Sequence, residues 1–493
     1  MDKTTGPYVF KKYTADTVFA AIASAAKALG NLVLLVVLSK MLGPQGYGVW
    51  AQVIATISLL MPLALLQLGW AMTRFLAAET DKTRISAGFF SVLTAATGTS
   101  ILLSVLIFIL AEPFATTFLK GAEAAVFVRL SAFLVLLTAI DQVLIEYFLA
   151  FRQVMKYAVF TIAQVVGELA LITYLVFTGL GLYGAITALL IARSLLFLVG
   201  FCVIKQQVNF AAPALATLKP YLAFSLPLLP YSFCFWLIGV GDRYVIGHFL
   251  GATQVGLYSV AYGLGSIVQL LYMPLVVVLF PAITYLYENS MLPQIKTLCK
   301  YTLKFFLSLA IPAAFGLLIL SKPLLRILTT QEFTKTSSIV SIVAFGTVFY
   351  SCSYIFSDLL MLFKKTKLVS FIFAGSASLN LLLNIMLVPL LGIMGAAIST
   401  LVTFGIHLVA LSILTRRQIT FDFDWKFLGK CLASSVLMDV IVWKLDPTSV
   451  QGIVISIMIG ASIYLAFLIF LKGFNQGERA FLRNLIKRQF PSS

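Results

Sequence analysis

Five charged side chains of the first half of this sequence fall inside apolar stretches, and Glu146 is the one among them to which the sequence gives no role. Lys27, Glu168 and Arg193 lie near the middle of predicted membrane spans, and Asp141 lies within another. A charge at the centre of a bilayer costs about 2.5–3.5 kcal/mol on the insertion scale, so such residues face a partner or a wet cavity. Two interpretations follow: the cations bind an anionic ligand, or Lys27, Glu168 and Arg193 form a structural ion pair that ties helices together.

Polar neighbours at helical spacing favour a cavity. Ser24 and Asn31 lie three residues before and four residues after Lys27, and Gln164 lies four residues before Glu168. Residues at these spacings share one face of a helix. Each charge therefore belongs to a polar stripe on an otherwise apolar helix.

Charged residues are fewer in the second half of the chain. Asp242 and Arg243 are predicted near the outer face, where a structural or gating role is expected. Neutral polar stripes suit sugar hydroxyls, or equally hydrogen bonds between helices. Their members are Ser259, Tyr262, Ser266 and Gln269 in one span, and Ser376, Asn380 and Asn384 in another.

The composition is that of a polytopic membrane protein. Of 493 residues, 61% are hydrophobic and only 11% are charged, with a mean hydropathy of +1.02. Soluble domains carry about 25% charged residues, so the apolar excess must face lipid. Two histidines and five scattered cysteines provide no metal-binding or disulfide pattern, and no catalytic motif is present.

Stretches of about 20 apolar residues predict the transmembrane helices, because lipid leaves the backbone no other hydrogen-bond partner. Fourteen spans are predicted. They lie at 17–41, 46–72, 85–111, 124–150, 156–179, 182–204, 220–243, 254–286, 299–321, 336–363, 367–390, 393–414, 428–445 and 449–471.

Positive charge predicts the orientation. With the N-terminus in the cytoplasm, about 25 of the 35 Lys and Arg residues lie on that side and about 8 on the other. This bias places both termini in the cytoplasm. It also accounts for the net charge of +17 without nucleic-acid binding. The basic segment 478–490 is either an interfacial amphipathic helix or a solvated tail.

Two sequence echoes indicate an internal repeat. Residues 42–50 and 250–258 both read Leu-Gly, four residues, Gly, an aliphatic and an aromatic, and residues 181–185 resemble 392–396. The offsets, 208 and 211 residues, match six helices, so the halves have the same orientation and the substrate site is expected between them. The predicted domains are an N-lobe (1–210), a C-lobe (211–418) and an added pair of helices with a basic tail (419–493).

At these residues the chain resembles the polysaccharide transporter family of the MOP superfamily, the flippases of lipid-linked oligosaccharides and O-antigen. The markers are the segments at 42–52, 242–262 and 384–400, and Leu68-Gly69 followed by Arg74. The resemblance implies two six-helix lobes around a central cavity and alternating access. It implies a polyprenyl-diphosphate oligosaccharide as substrate, for cell-surface polysaccharide synthesis.

These expectations define a candidate site in a non-enzymatic transporter of the cell (inner or plasma) membrane. Lys27 and Arg193 hold the diphosphate, assisted by Asn31, after Arg74 has received it at the cytoplasmic mouth. Glu168 and Asp141 separate the cations or carry a coupling proton.

No cofactor is expected beyond a proton or sodium gradient. The expected partners are the lipid-linked oligosaccharide, membrane lipids and other polysaccharide-assembly proteins. The alternatives are a multidrug or cation exporter of the same superfamily, a polytopic sugar-polymerising enzyme and a scaffold subunit.

Overall fold

The computed structural model describes residues 6–77 and 79–474, and this part of the chain contains helices and short connections but no strand. Short 3₁₀ and π turns join or extend the α-helices. In chain order these are α1 (Gly6–Ala64), α2 (Leu68–Ala71), α3 (Lys82–Ile109), α4 (Ala111–Phe114), α5 (Ala125–Ala150), α6 (Val154–Leu175), α7 (Gly181–Lys205), α8 (Leu215–Ser225), α9 (Leu229–Val240), α10 (Asp242–Leu250), α11 (Ala252–Gly265), α12 (Met273–Glu288), α13 (Leu292–Leu328), α14 (Ser337–Leu362), α15 (Thr366–Leu391), α16 (Ile393–Arg416), α17 (Trp425–Trp443) and α18 (Val450–Phe470).

The all-α polytopic class is confirmed. Eleven helical stretches of the described residues are long and apolar enough to cross a membrane. Val154–Lys205 contains two of the predicted spans, Val18–Ala64 overlaps two others, and α17 is not among the eleven. The number fourteen therefore stays a prediction.

The repeated Leu-Gly motifs share an unusual backbone conformation. Gly43 breaks α1 at φ 64° and ψ −176°, and its counterpart Gly251 ends α10 at φ 84° and ψ 178°. This region is essentially restricted to glycine. The two motifs therefore make the same sharp reversal between helices, as the sequence repeat predicts.

The two motifs also pack against each other. A Cβ built on Gly48 would overlap the carbonyl oxygen of Ala252, and one on Gly256 would overlap that of Pro44. The contact is reciprocal, since each glycine lies beside the backbone of the other motif. Only a residue without a side chain permits so close an approach.

The packing of the backbone divides the chain into two compact units. One comprises the residues up to 260 with 373–399, and the other comprises 261–372 with the residues from 400 onward. The first has a core around Met72, Phe89 and Phe148, and the second has a core around Phe306 and Ile355. The predicted lobes and the added segment divide the chain differently, and they stay a prediction.

The amphipathic segment predicted at 478–490 lies outside the described residues.

Candidate functional site

Three of the predicted site residues form one cluster, with one residue from each of three neighbouring helices. Arg193 on α7 donates from Nε to Glu168 Oε1 on α6 over 2.8 Å. Its Nη1 lies 3.9 Å from Asp141 Oδ2 on α5. The side chains are 16%, 13% and 0% exposed, respectively, so this is a nearly buried group of charges.

The cluster carries more negative than positive groups. Glu168 also accepts a hydrogen bond from Gln164 Nε2 at 3.1 Å, whereas neither oxygen of Asp141 has a hydrogen-bond partner among the described residues. One guanidinium thus faces two carboxylates. If both carboxylates are ionised, the group holds one excess negative charge, which a single proton neutralises.

Lys27 is separate from this cluster. Its side chain is exposed on α1, as are those of Ser24 and Asn31. Among the described side chains, no carboxylate lies within 4.0 Å of its Nζ. The ion pair between Lys27 and Glu168 that a purely structural role would require is not present in this structure.

The packing of α1 on α6 gives the physical reason. A Cβ on Gly30 would overlap Val165, so these two residues lie at the same level. Lys27 precedes Gly30 by three residues, and Glu168 follows Val165 by three. With α1 and α6 parallel, as the predicted topology requires, the two charges are offset by about 9 Å along the helix axes.

Arg74 lies in a π-helical turn, Met72–Leu76, that extends the second predicted span. Its side chain is exposed, and its guanidinium lies 4.5 Å from the ring centre of Phe224. Stacking on an aromatic face leaves the hydrogen-bonding edge of an arginine accessible to an anion. The entry role expected for Arg74 stays a prediction.

Asp242 and Arg243 lie at the start of α10 and are paired. Arg243 Nη1 donates to Asp242 Oδ1 over 2.9 Å, and the hydroxyl of Tyr258 on α11 donates to Asp242 Oδ2. Asp242 is 2% exposed. This arrangement joins α10 to α11 across the Gly251 turn, which favours the structural role among those expected.

Asn380 and Asn384, two members of the neutral polar stripe on α15, are hydrogen-bonded to each other within that helix. Asn384 Nδ2 donates to the carbonyl oxygen of Asn380 over 2.8 Å, and both residues are at most 1% exposed. Their burial favours a packing role in this structure over contact with sugar hydroxyls.

Glu146 is a partly buried carboxylate to which the sequence analysis gave no role. Glu146 lies against the backbone of Gly69, where a Cβ would overlap its carboxylate, and accepts from Gln142 Nε2 at 3.2 Å. Just before Gly69, Leu66 and Gln67 break the helix at φ 48° and 55°. The sequence signal was present, since Leu68-Gly69 is one of the family markers and Glu146 lies within a span.

Comparisons with known proteins give the family. The sequence model of the family described as polysaccharide biosynthesis protein matches residues 14–286, more than half of the chain. The chain belongs to this family. A second family model, described as the lipid II flippase MurJ, matches residues 251–462. The resemblance inferred from the sequence is therefore confirmed.

The curated relatives match part of the chain. The probable low-salt glycan biosynthesis flippase Agl15 of Haloferax volcanii is 28% identical over 197 residues, which is 40% of this chain and 42% of the relative. The chain spans less than half the length of the curated relatives it matches.

Solved structures show the fold over most of the chain. The lipid II flippase MurJ in an inward closed conformation has a TM-score of 0.74 at 19% identity, covering 92% of this chain and 99% of that chain. An inward-facing multidrug resistance MATE family transporter of the MOP superfamily has a TM-score of 0.62 at 16% identity, covering 80% and 94%. The predicted MOP/MATE-like fold class is confirmed.

Proposed function

We propose that this protein is a flippase that moves a polyprenyl-diphosphate-linked oligosaccharide from the cytoplasmic to the outer leaflet by alternating access. Family membership supports a role in polysaccharide biosynthesis, and the second matching family and the similar curated protein Agl15 are described as flippases. The observation that carries the proposal is Lys27, an exposed cation in an apolar span with no described carboxylate within 4.0 Å.

The substrate chemistry requires such a cation. A lipid diphosphate carries negative charge through a region of low dielectric, where an unpaired charge is strongly unfavourable. Arg74 first receives the diphosphate at the cytoplasmic mouth of its span, and Lys27 holds it during the crossing. Asn31, on the same exposed face of α1, donates a hydrogen bond to the phosphates or the first sugar.

In this proposal Arg193 belongs to the proton-coupling cluster, whereas Lys27 binds the diphosphate. Because Glu168 already pairs with it and Asp141 lies 3.9 Å away, its charge is offset within the protein. The cluster is suited to take up and release a coupling proton, with Arg193 available to the diphosphate only when a carboxylate is protonated. A proton gradient is thus the driving force that this geometry favours, ahead of sodium.

The same cluster supports a second candidate function, export of a cationic drug. Two carboxylates around one arginine leave the excess negative charge that a cation site needs, and the MATE transporter shares the fold. The exposed Lys27 opposes this candidate, because a cation beside the transport route repels a cationic substrate.

Deletion of the gene in its host separates the two functions. The flippase proposal predicts accumulation of a polyprenyl-diphosphate oligosaccharide on the cytoplasmic face of the cell membrane and loss of surface polysaccharide, both restored by the full chain. If the amount of lipid-linked oligosaccharide is unchanged and the cells become more sensitive to cationic drugs, the flippase proposal is wrong and the exporter is favoured.

The remaining expectations belong to the same proposal. The protein resides in the cell membrane with both termini in the cytoplasm, and it works beside the enzymes that assemble and polymerise the oligosaccharide.

A further inference from the structure

The second compact unit contains an apolar cavity of about 480 Å³. Helices α13 and α14 form its floor, where Leu303, Ile311 and Cys352 are at most 6% exposed. Helices α16 and α17 form its walls. The volume lies within the range of about 300–1,000 Å³ that is usual for small-molecule sites.

The connection between α16 and α17 covers one end of the cavity. Phe421 and Phe423 of this connection line the cavity, and the Phe421 ring lies 5.9 Å from that of Phe356 on α14. At the end of this connection, Asp424 accepts a hydrogen bond from Lys304 Nζ on α13 over 3.0 Å. The cover is thus held by a specific ion pair and by ring packing.

The side of the cavity is open. Phe349 on α14, Val409 on α16 and Leu432 on α17 line the cavity and are 39%, 55% and 39% exposed. In the membrane, these apolar rim residues face the acyl chains of the bilayer. A cavity this apolar offers water few hydrogen-bond partners, and an empty cavity lacks the dispersion contacts of a filled one. We therefore expect an acyl chain of a neighbouring lipid to occupy it.

A cation and an interfacial aromatic lie at the end of the cavity that the predicted topology places on the cytoplasmic side. Arg416 lines the cavity with its side chain exposed, and Trp425 lines it at 68% exposure. Tryptophan is typical of the membrane–water interface, and arginine near the cytoplasmic leaflet attracts anionic lipid.

We propose that this cavity binds one anionic phospholipid of the cytoplasmic leaflet, with an acyl chain between α16 and α17 and its phosphate on Arg416. A polyprenyl tail is several times longer than an acyl chain and is a poor match for a cavity of this volume. The site is separate from the proposed transport residues, all of which lie in the other compact unit, and it does not depend on the proposed function.

The first test fills the cavity. Full-length protein is purified in mild detergent, and the retained phospholipid is quantified by mass spectrometry. Val409→Trp is expected to lower the retained anionic phospholipid severalfold. Val402→Trp is the control, because Val402 is 40% exposed on the same helix and does not line the cavity. Equal retention by the wild type and both variants would overturn the proposal, as would equal loss in both variants.

The second test addresses the headgroup. Arg416→Gln is compared with Arg417→Gln, since Arg417 is also exposed but lies outside the cavity lining. We expect Arg416→Gln to weaken the thermal stabilisation by phosphatidylglycerol vesicles about fivefold in apparent affinity, and Arg417→Gln to leave it unchanged. Equal losses would indicate general surface charge and contradict the site. Displacement of the bound phospholipid by a polyprenyl phosphate would assign the cavity to the transport substrate instead.

Discussion

Arg193 Nε donates to Glu168 Oε1 over 2.8 Å, and the same guanidinium lies 3.9 Å from Asp141. The contact joins α6 to α7, with α5 alongside, deep within apolar helices. The contact ties neighbouring helices together, and in the proposed function the same group takes up and releases the coupling proton. The two roles are separable by experiment.

Removal of Arg193 is expected to destabilise the protein. Arg193→Gln leaves two carboxylates without their cation, and the loss of one partner of a buried pair costs about 3–5 kcal/mol. The melting temperature should fall, and Glu168→Gln in the same chain should restore most of it. Arg129→Gln is the control, since its pair with Glu112 is 42% and 68% exposed and such pairs contribute about 0–1 kcal/mol. An equal fall in the control would contradict this account.

The contact between the repeated motifs is expected to reject a side chain. Gly48→Ala and Gly256→Ala each place a Cβ on a backbone carbonyl, and overpacking of this kind costs about 1–3 kcal/mol. Gly98→Ala on α3 is the matched control, because a Cβ there has no neighbour within 4 Å. It should be neutral or stabilising by up to about 1 kcal/mol. Thermal unfolding in detergent measures all three, and equal melting temperatures would refute the close contact.

Asp424 gives a pH dependence that lies outside the membrane spans. Partial burial raises its pKa, but the Phe427 amide and Lys304 outweigh that effect, so the pKa lies below the usual value. The carboxylate therefore stabilises the fold above the unfolded pKa of about 3.9, and this contribution is lost as the pH falls through the folded pKa.

Replacement of Asp424 should abolish this dependence. At neutral pH, Asp424→Ala is expected to cost about 1 kcal/mol, because the residue also caps α17 by accepting from the Phe427 amide at 2.9 Å. The difference in melting temperature between the variant and the wild type should begin to shrink below about pH 4 and continue to shrink as the pH falls through the folded pKa of Asp424. A constant difference between pH 3 and 7 would contradict the ionised pair.

Orientation is tested by reporter fusions. The bias of about 25 to 8 positive charges predicts that fusions after Ser493 and within 205–219 both report the cytoplasm. A fusion in the short segment at 329–336, on the other predicted side, should report the outside. A single reversed reading would contradict the topology.

The apolar runs predicted the helices closely where a span is regular. The span predicted at 336–363 is α14, Ser337–Leu362, and the one predicted at 85–111 is α3, Lys82–Ile109. Hydropathy suffices there because lipid imposes the helix and its length. Breaks inside a span are harder to predict, since the left-handed Leu66 and Gln67 depend on tertiary contacts such as that of Gln67 Nε2 with Ser232 Oγ at 2.6 Å.

The sequence identified the charged residues within the spans but not how they pair, and their role as a site stays a prediction. The apolar runs identified Lys27, Glu168 and Arg193 as charges near the middle of predicted spans, yet their relative levels depend on which helices pack and at what height. Lys304 shows the same limit, because its side chain is only 5% exposed and pairs with Asp424. The partner is 120 residues away in the sequence, and no local pattern indicates it.

Transport by Lys27 variants in proteoliposomes tests the central claim most directly. Purified full-length protein is reconstituted with a fluorescent polyprenyl-diphosphate oligosaccharide, and flipping is followed alongside the melting temperature. Lys27→Ala should abolish flipping with the fold intact, Lys27→Arg should retain part of it, and Lys40→Ala, an exposed lysine farther along α1, should leave it unchanged. Full flipping by a stably folded Lys27→Ala protein would contradict the account.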